Sequence, residues 1–217
     1  MSAQLTFDLP TLFACGMLLL SLIMVSRMRL SSLVGIFRYQ SALLAIYAVI
    51  LAISHDEPEL LAVALFIALV KVVLIPAFLI RVAKQNGVSE RLDSYLRPTT
   101  STSVGLVAIL LAFAGAEATF ATSAGLIIVA CVFALILTGL ILLITRKDMF
   151  GQGIGFLVME NGIYAFGLAL AGGMPIFVEL AVLFNLLALT VLMVLLFRVA
   201  QKVHSSVSTE HFKRLID

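Results

Sequence analysis

The sequence predicts an all-α integral membrane protein with about seven transmembrane helices. Of its 217 residues, 62% are hydrophobic and only 12% are charged, and the mean hydropathy is +1.18, which exceeds what the core of a soluble domain can hide. Seven apolar stretches approach the roughly 20 residues that a helix needs to cross a bilayer. They cover residues 10–26, 33–54, 60–82, 102–120, 124–145, 149–171 and 175–199. The fourth is the weakest, because Glu117 lies near its end.

The basic residues predict the orientation of these helices. Of the 14 Lys and Arg residues, all but Arg38 and Lys71 fall on one side, in short clusters beside the apolar stretches, so this side is predicted to be cytoplasmic. The N-terminus is then outside and the C-terminus inside, as seven spans require. No Lys or Arg precedes the first stretch, so we expect it to remain as a helix rather than be cleaved as a signal peptide.

The charge and the Cys and His residues exclude several classes of function. The net charge of +2 comes from juxtamembrane clusters, so it reports topology and predicts no nucleic-acid partner. Cys15 and Cys131 are isolated within spans and predict neither a metal site nor a disulfide. His55, His204 and His211 lie outside the spans, which argues against an intramembrane haem.

An internal similarity at a spacing of 120 residues predicts two related three-helix units. It aligns Arg27 with Lys147, Gly35 with Gly155 and Glu59 with Glu179. One extra span lies between the units, so both would have the same orientation, in a parallel 3+1+3 arrangement. The predicted divisions are 1–100 for the first repeat with its cytoplasmic loop, 101–121 for the linking helix, 122–200 for the second repeat, and 201–217 for a cytoplasmic tail.

Two basic residues lie within the spans. Arg38 is close enough to the cytoplasmic end of its helix for its long side chain to reach the interface, so anchoring is favoured for it. Lys71 lies near the middle of the bilayer, where a charge needs a partner, so a functional role is favoured. Pro76 follows Lys71 by five residues and removes the hydrogen bond to the carbonyl of Val72, which predicts a kinked or broken helix.

Glu160 is predicted to lie at the same depth as Lys71. An acid and a base that both lose hydration can exchange protons near neutral pH, and Tyr164 lies one turn further along the same face, within reach of a hydrogen bond to Glu160. A static Lys71–Glu160 clamp between the repeats is the alternative interpretation. The candidate residues for a proton path are Glu160, Lys71, Glu179, Arg38, Asn185 and Tyr164, and no catalytic, cofactor-binding or metal-binding residue is predicted.

Two local patterns carry further predictions. The segment SERLDSYL in the loop after the third span places Leu92, Tyr95 and Leu96 at helical spacing, which predicts a short interfacial helix. The run GQGIG at 151–155 lies in a membrane helix with no strand before it, so close helix packing explains it better than phosphate binding does.

Three segments resemble a known family. The runs GFLVMENGIYAFGLAL (155–170), PIFVELAVLFNLLALTVLMVLLFRV (175–199) and FIALVKVVLIPAFLIR (66–81) are similar to component E of hydrogenase-four-type, formate-hydrogenlyase-like membrane complexes. The last three spans also resemble the K subunit of respiratory complex I and the C subunit of Mrp-type antiporters, in which intramembrane glutamates are thought to belong to the proton path.

This resemblance implies a non-catalytic, multi-pass subunit of a redox-driven complex in the bacterial inner membrane. Its implied partners are antiporter-like membrane subunits, other membrane-arm subunits and a peripheral hydrogenase and iron–sulfur arm. The iron–sulfur clusters and the NiFe centre would lie in those partners, with no cofactor in this chain, while redox energy drives proton or sodium movement through the membrane arm.

Two other functions are compatible with the sequence. A self-sufficient 3+1+3 transporter like the SWEET sugar transporters fits the topology, although the first, second, fifth and sixth spans lack the hinge prolines of that family. A purely structural membrane spacer is the other, and it needs no titratable group inside the bilayer. Purification would distinguish a SWEET-like transporter from a subunit, because a transporter is active alone and a subunit is isolated together with its partner subunits.

Overall fold

The structure, a computed structural model, describes residues 9–56, 58–85, 87–120 and 126–170, and the regular elements in these ranges are helices. They are α1 (Leu9–Ser26), α2 (Leu30–His55), α3 (Pro58–Ile67), a π-helical segment (Ala68–Leu74), α4 (Ile75–Gln85), α5 (Pro98–Phe120), α6 (Leu126–Thr145) and α7 (Met149–Leu170). The segment from α3 to α4 is continuous and forms one span. We call the helix ends on the predicted cytoplasmic side the inner ends.

These helices identify a multi-pass membrane protein. Five spans in the described ranges are long and apolar enough to cross a membrane: α1, α2, the α3–α4 span, α5 and α6. The sixth predicted stretch coincides with α7, a helix of 22 residues that carries Gln152, Glu160 and Asn161. The seventh, 175–199, lies outside the described residues, as does the tail. The count of seven, the orientation and the division into repeats therefore stay predictions.

Prolines and residues with positive φ determine where several helices begin and end. Pro10, Pro58 and Pro98 lie in the first two positions of their helices, where a missing N–H removes no hydrogen bond and a fixed φ suits the helix. At the end of α2, Asp56 adopts a left-handed conformation with φ of 56°, and its N–H donates to Ala52, which closes the helix. Gly87, with φ of 63°, has the same role after α4.

Glycines allow α6 and α7 to pack closely. A Cβ atom at Gly155 would overlap the backbone of Leu143, and one at Gly139 would overlap the backbone of Met159. In a bilayer, where apolar side chains gain little by leaving lipid, such close approach is a main source of helix association. The packing interpretation of the GQGIG run is confirmed for Gly155.

The span from α3 to α4 is distorted differently from the prediction. It is not broken at Pro76. Instead it widens into a π-helical turn over Ala68–Leu74, in which the N–H of Ile75 donates to the carbonyl of Val70, five residues earlier. Pro76 cannot donate to Val72, and the wider turn keeps the helix continuous around that missing bond. Such π turns are frequent at functional sites.

The loop between α4 and α5 is an extended strap over residues 87–97, so the prediction of a short helix there is wrong. Its backbone bonds the two inner loops on either side: Leu92 donates to Met28 at 2.8 Å, and Tyr95 donates to Thr145 at 2.9 Å. Leu92 is buried and Tyr95 is 72% exposed. Pairing with neighbouring loops satisfies the strap's backbone groups without a helix.

Helices that are equivalent under the 120-residue shift pack against each other. α1 contacts α6, and α2 contacts α7. Across the first pair, the thiols of Cys15 and Cys131 lie 3.5 Å apart, a proximity that the sequence spacing did not indicate. Across the second pair, the Ser41 hydroxyl lies 3.1 Å from the amide nitrogen of Asn161, 120 residues away along the chain. The centre of the bundle is therefore the contact between these four helices.

Candidate functional site

The centre of the bundle contains an ion pair between Lys71 and Glu160. The Lys71 ammonium in the π-helical segment lies 2.7 Å from Oε1 of Glu160 in α7, and the side chains are 0% and 1% exposed. The widened turn carries Lys71, and the close packing of α6 on α7 leaves Glu160 on the interior face. The structure thus brings together the two residues that the sequence singled out.

A chain of polar side chains extends from this pair across three helices. Lys71 also donates to Oδ1 of Asn161 at 2.9 Å. The Asn161 amide in turn donates to Gln40 and to Ser41, both in α2 and both at 3.1 Å. Gln40 then donates to Ser21 of α1 at 2.7 Å. All of these side chains are buried, and we call this set, from Glu160 to Ser21, the polar layer.

The polar layer runs across the bundle rather than along it. Gln40 lies about 15 Å along α2 from its inner end, and Glu160 lies about 16 Å along α7 from its inner end, at 1.5 Å per residue. The layer therefore lies near the middle of a hydrocarbon core about 30 Å thick. Buried polar groups are tolerated at this depth when each finds a partner, because the low dielectric makes unpaired groups costly.

Tyr164 takes a different role from the predicted one. Its ring lies 5.3 Å from the Lys71 ammonium, a distance at which the face of the ring attracts the cation. Its hydroxyl makes no hydrogen bond to Glu160, and neither this hydroxyl nor Oε2 of Glu160 has a hydrogen-bond partner among the described residues. The predicted Tyr164–Glu160 hydrogen bond is therefore wrong.

Arg38 lies on the outer surface of the bundle. Its Nε donates to the carbonyl of Val72 at 3.1 Å, which is the carbonyl that Pro76 leaves without its helical donor. The expectation that Arg38 reaches back to the interface is wrong, because this bond holds its guanidinium against the π-helical segment. The side chain of Lys71 thus extends from this turn into the bundle, and Arg38 contacts the same turn from the outer surface.

Two further candidates, Glu179 and Asn185, lie outside the described residues. Within the described ranges, no group of three or more His, Cys, Asp or Glu side chains could hold a metal ion.

Charged groups at the inner loops stabilise the helix ends near the site. The buried Arg146 donates to the carbonyls of Val25 and Arg27 at 3.3 and 2.5 Å, which are left without partners where α1 ends. Asp148 accepts a bond from the N–H of Gly151 at 2.6 Å and so caps α7. Burial raises the pKa of the Asp148 carboxyl above its ordinary value, against the opposing effects of this bond and of Arg146.

Glu90, on the strap, shows the opposite shift. The hydroxyl and the backbone N–H of Ser31 both donate to its carboxylate, and these bonds lower the pKa of Glu90. The strap is thereby joined to the first turn of α2.

Sequence reasoning missed part of the polar layer. Asn161, Gln40, Ser41 and Ser21 were not among the candidates, although Asn161 directly follows Glu160. The repeat held the signal: the 120-residue shift aligns Gln40 with Glu160 and Ser41 with Asn161, so polar residues recur at the same two positions of both units. Ser21 has no such signal, because a lone serine in an apolar helix commonly bonds its own backbone.

Comparison with known proteins identifies a relative but assigns no function. No family model matches the chain, and no solved structure matches it. The uncharacterized protein Rv0085 of Mycobacterium tuberculosis is 30% identical over 188 residues, which cover 82% of this chain and 84% of that protein. The likeness extends over most of both chains rather than over one short motif. This chain therefore belongs to the same family as Rv0085.

Proposed function

We propose that this chain is a non-catalytic membrane subunit of a hydrogenase-type, formate-hydrogenlyase-like complex related to complex I, and that Lys71 and Glu160 take part in moving protons or sodium ions through its membrane arm. The observation that carries this proposal is the buried Lys71–Glu160 pair at a π-helical turn.

Stabilisation of the fold is a weak explanation for a buried ion pair. Bringing two charges out of water costs several kcal/mol for each ion, so well-packed apolar residues in their place are often neutral or stabilising. Ionisable residues inside transmembrane segments are rare and usually belong to ion or proton pathways. The pair therefore supports a functional role more than a structural one.

The chemistry of the polar layer supports a division of roles. Lys71 and Glu160 can each gain or lose a proton, and transfer from the ammonium to the carboxylate over 2.7 Å leaves two neutral groups that the bilayer tolerates better. The amides of Asn161 and Gln40 donate and accept hydrogen bonds but do not ionise. We assign them the task of holding Lys71 beside Glu160, and we assign proton exchange to the pair.

The partners follow from the resemblance of the runs around Lys71 and Glu160 to component E of hydrogenase-four-type complexes. A subunit with this role needs no cofactor of its own, since the NiFe centre and the iron–sulfur clusters belong to the peripheral arm. Antiporter-like subunits would continue the path on either side, and the complex would lie in the bacterial inner membrane.

The test is Glu160→Gln in the intact complex, a near-isosteric change that removes the titratable group. Hydrogen evolution and proton uptake are measured in inverted membrane vesicles, after subunit composition has been checked. We expect hydrogen evolution from the donor to continue while proton transport per hydrogen molecule falls at least tenfold.

Glu117→Gln is the matched control, because Glu117 is an exposed carboxylate on α5 and its loss should change neither activity. If Glu160→Gln leaves both activities unchanged, the ion-path role is refuted and the static clamp is correct. If the wild-type chain purifies without companions, the subunit assignment itself is wrong.

A further inference from the structure

We infer that the surface around Arg38 is a docking site for a transmembrane helix of another subunit, and that this helix places an Asp or Glu carboxylate against the Arg38 guanidinium. We call this surface the Arg38 face; it consists of Arg38 and Tyr39 of α2 with Leu69 and Val73 of the π-helical segment. The inference rests on the proposed function, since it requires a complex.

The first step is that Arg38 lies inside the membrane and has no acidic partner among the described residues. It lies eight residues into α2, about 12 Å along the helix axis at 1.5 Å per residue, within a segment apolar enough to span a bilayer. Its side chain is exposed, and among the described residues it makes one hydrogen bond, from Nε to Val72. A guanidinium has five N–H donors, so four have no hydrogen-bond partner among the described residues.

The second step is that the described part of the chain offers no carboxylate to these donors. Of its 12 acidic residues, Glu160 alone lies deep in a described helix, and it is buried on the interior side with Lys71. The other acidic residues of the described ranges lie in loops or near helix ends. Outside those ranges, Glu179 is predicted near the outer surface, and Glu210 and Asp217 are predicted in the cytoplasmic tail. No carboxylate among the described residues is at the depth of Arg38 and free of a basic partner, and we therefore assign the compensating acid to another chain.

The third step is that lipid is a poor partner here. An arginine in hydrocarbon usually extends its side chain to reach phosphate or water at the interface. Arg38 instead bonds a carbonyl of the neighbouring span, which holds its head group at the level of the π turn. An unpaired charge at the centre of a helix is strongly unfavourable for insertion, and a carboxylate at this position removes that cost with a charge-assisted, bidentate pair.

The remaining surface suits a helix. Tyr39 is 67% exposed, and Leu69 and Val73 are 63% and 55% exposed, which supplies apolar contact area beside the charge. Nothing would touch a Cβ atom at Gly35, one turn before Tyr39, so a partner's backbone can approach closely there.

A helix docked at the Arg38 face would also lie close to the ion pair. Arg38 bonds Val72, the residue next to Lys71, so a partner that binds Arg38 contacts the outer side of the turn that carries Lys71. The docked subunit is therefore coupled to the Lys71–Glu160 pair through a single turn of backbone.

The experiment uses a photoreactive phenylalanine analogue at Tyr39 in the otherwise wild-type complex, with the analogue at Leu110 on α5 as the control site, since Leu110 is 64% exposed. Adducts are mapped by mass spectrometry. We expect Tyr39 to yield an adduct with one transmembrane helix of another subunit, and that helix to contain an Asp or Glu near the adduct site.

Substitutions then test the charge. Arg38→Gln should lower the Tyr39 adduct yield about tenfold, Arg38→Lys should retain most of it, and Arg81→Gln, at an exposed position in α4, should have no effect. Exchanging the two charges, with Arg38→Asp here and Arg at the partner's acid, should restore the adduct.

Several results would overturn the inference: an adduct with lipid alone, an adduct with a second copy of this chain, a partner helix that contains no acid, or a yield unchanged by Arg38→Gln. These are distinguishable from failure of the proposed function. If the same hydrogenase-type subunits purify with the chain but the Tyr39 adduct yield is unchanged by Arg38→Gln, the proposed function stands and the Arg38 face is refuted.

Discussion

Removing one member of the Lys71–Glu160 pair should destabilise the protein more than removing both. Lys71→Met leaves a buried carboxylate without its cation, and Glu160→Met leaves a buried ammonium without its anion. Breaking a buried pair in this way typically costs about 3 to 5 kcal/mol. In the double variant no unpaired charge remains, and the main loss is the donor to Oδ1 of Asn161, about 1 to 3 kcal/mol.

The two single losses sum to about 6 to 10 kcal/mol, so the double variant should depart from additivity by about 3 kcal/mol or more. That is a factor of roughly 100 or more in the unfolding equilibrium constant. The assay is unfolding of the full-length chain in lipid–detergent micelles with increasing sodium dodecyl sulfate, followed by far-ultraviolet circular dichroism. Lys71→Met combined with Glu117→Met is the control pair and should be additive, since Glu117 is exposed on α5 and Lys71 pairs with Glu160 instead. Additive losses for Lys71 and Glu160 would show that the ion pair does not form in the folded protein.

Three further predictions concern helix packing, a helix cap and the two thiols. Gly155→Ala should lower stability by at least about 1 kcal/mol because its Cβ would overlap α6, whereas Gly35→Ala, its repeat equivalent in open space, should be neutral or slightly stabilising in the same unfolding assay. Asp148→Ala should cost about 1 kcal/mol through loss of the α7 cap, while Asp148→Asn keeps a cap. Because the folded-state pKa of Asp148 is raised, the wild type should gain stability as the pH falls through that pKa, and thermal unfolding of the Asn variant between about pH 4 and pH 7 should lack that gain. Cys15 and Cys131, whose sulfurs lie 3.5 Å apart, should form an intramolecular disulfide with copper phenanthroline, detected by mass spectrometry as the loss of two hydrogens; two free thiols after treatment would contradict the packing of α1 on α6.

Hydropathy alone was enough to locate the helices in the described part of the chain. Six predicted stretches coincide with described helices to within four residues at each end, because the bilayer imposes both a minimum length and internal backbone hydrogen bonding. The strap was not predictable in the same way. Its Leu92, Tyr95 and Leu96 have helical spacing, but the backbone finds partners in the loops at Met28 and Thr145, and those contacts join segments that are distant along the chain.

The candidate site, like the fold, could be predicted from the sequence only in part. Lys71 and Glu160 were identifiable because an isolated charge in an apolar stretch is conspicuous, and counting residues from the helix ends placed them at one depth. Depth says nothing of which way a side chain points. The sequence therefore distinguished Arg38 from Lys71 by depth alone, and it did not show that Arg38 lies on the outer surface of the bundle and Lys71 inside it.

The arrangement at the bundle centre also explains why the two proposed repeats differ in charge. Gln40 and Glu160 are equivalent under the 120-residue shift, and both reach the layer around Asn161. If position 40 were also glutamate, the buried polar layer would contain two carboxylates and one lysine, and desolvation and repulsion would favour protonation of one carboxylate. With a neutral amide at position 40, Lys71 of the first unit meets a single acid from the second. The amide also donates to the Ser21 hydroxyl, which itself donates to the carbonyl of Met17, so the neutral residue at position 40 extends the polar layer to α1 without disturbing that backbone bond.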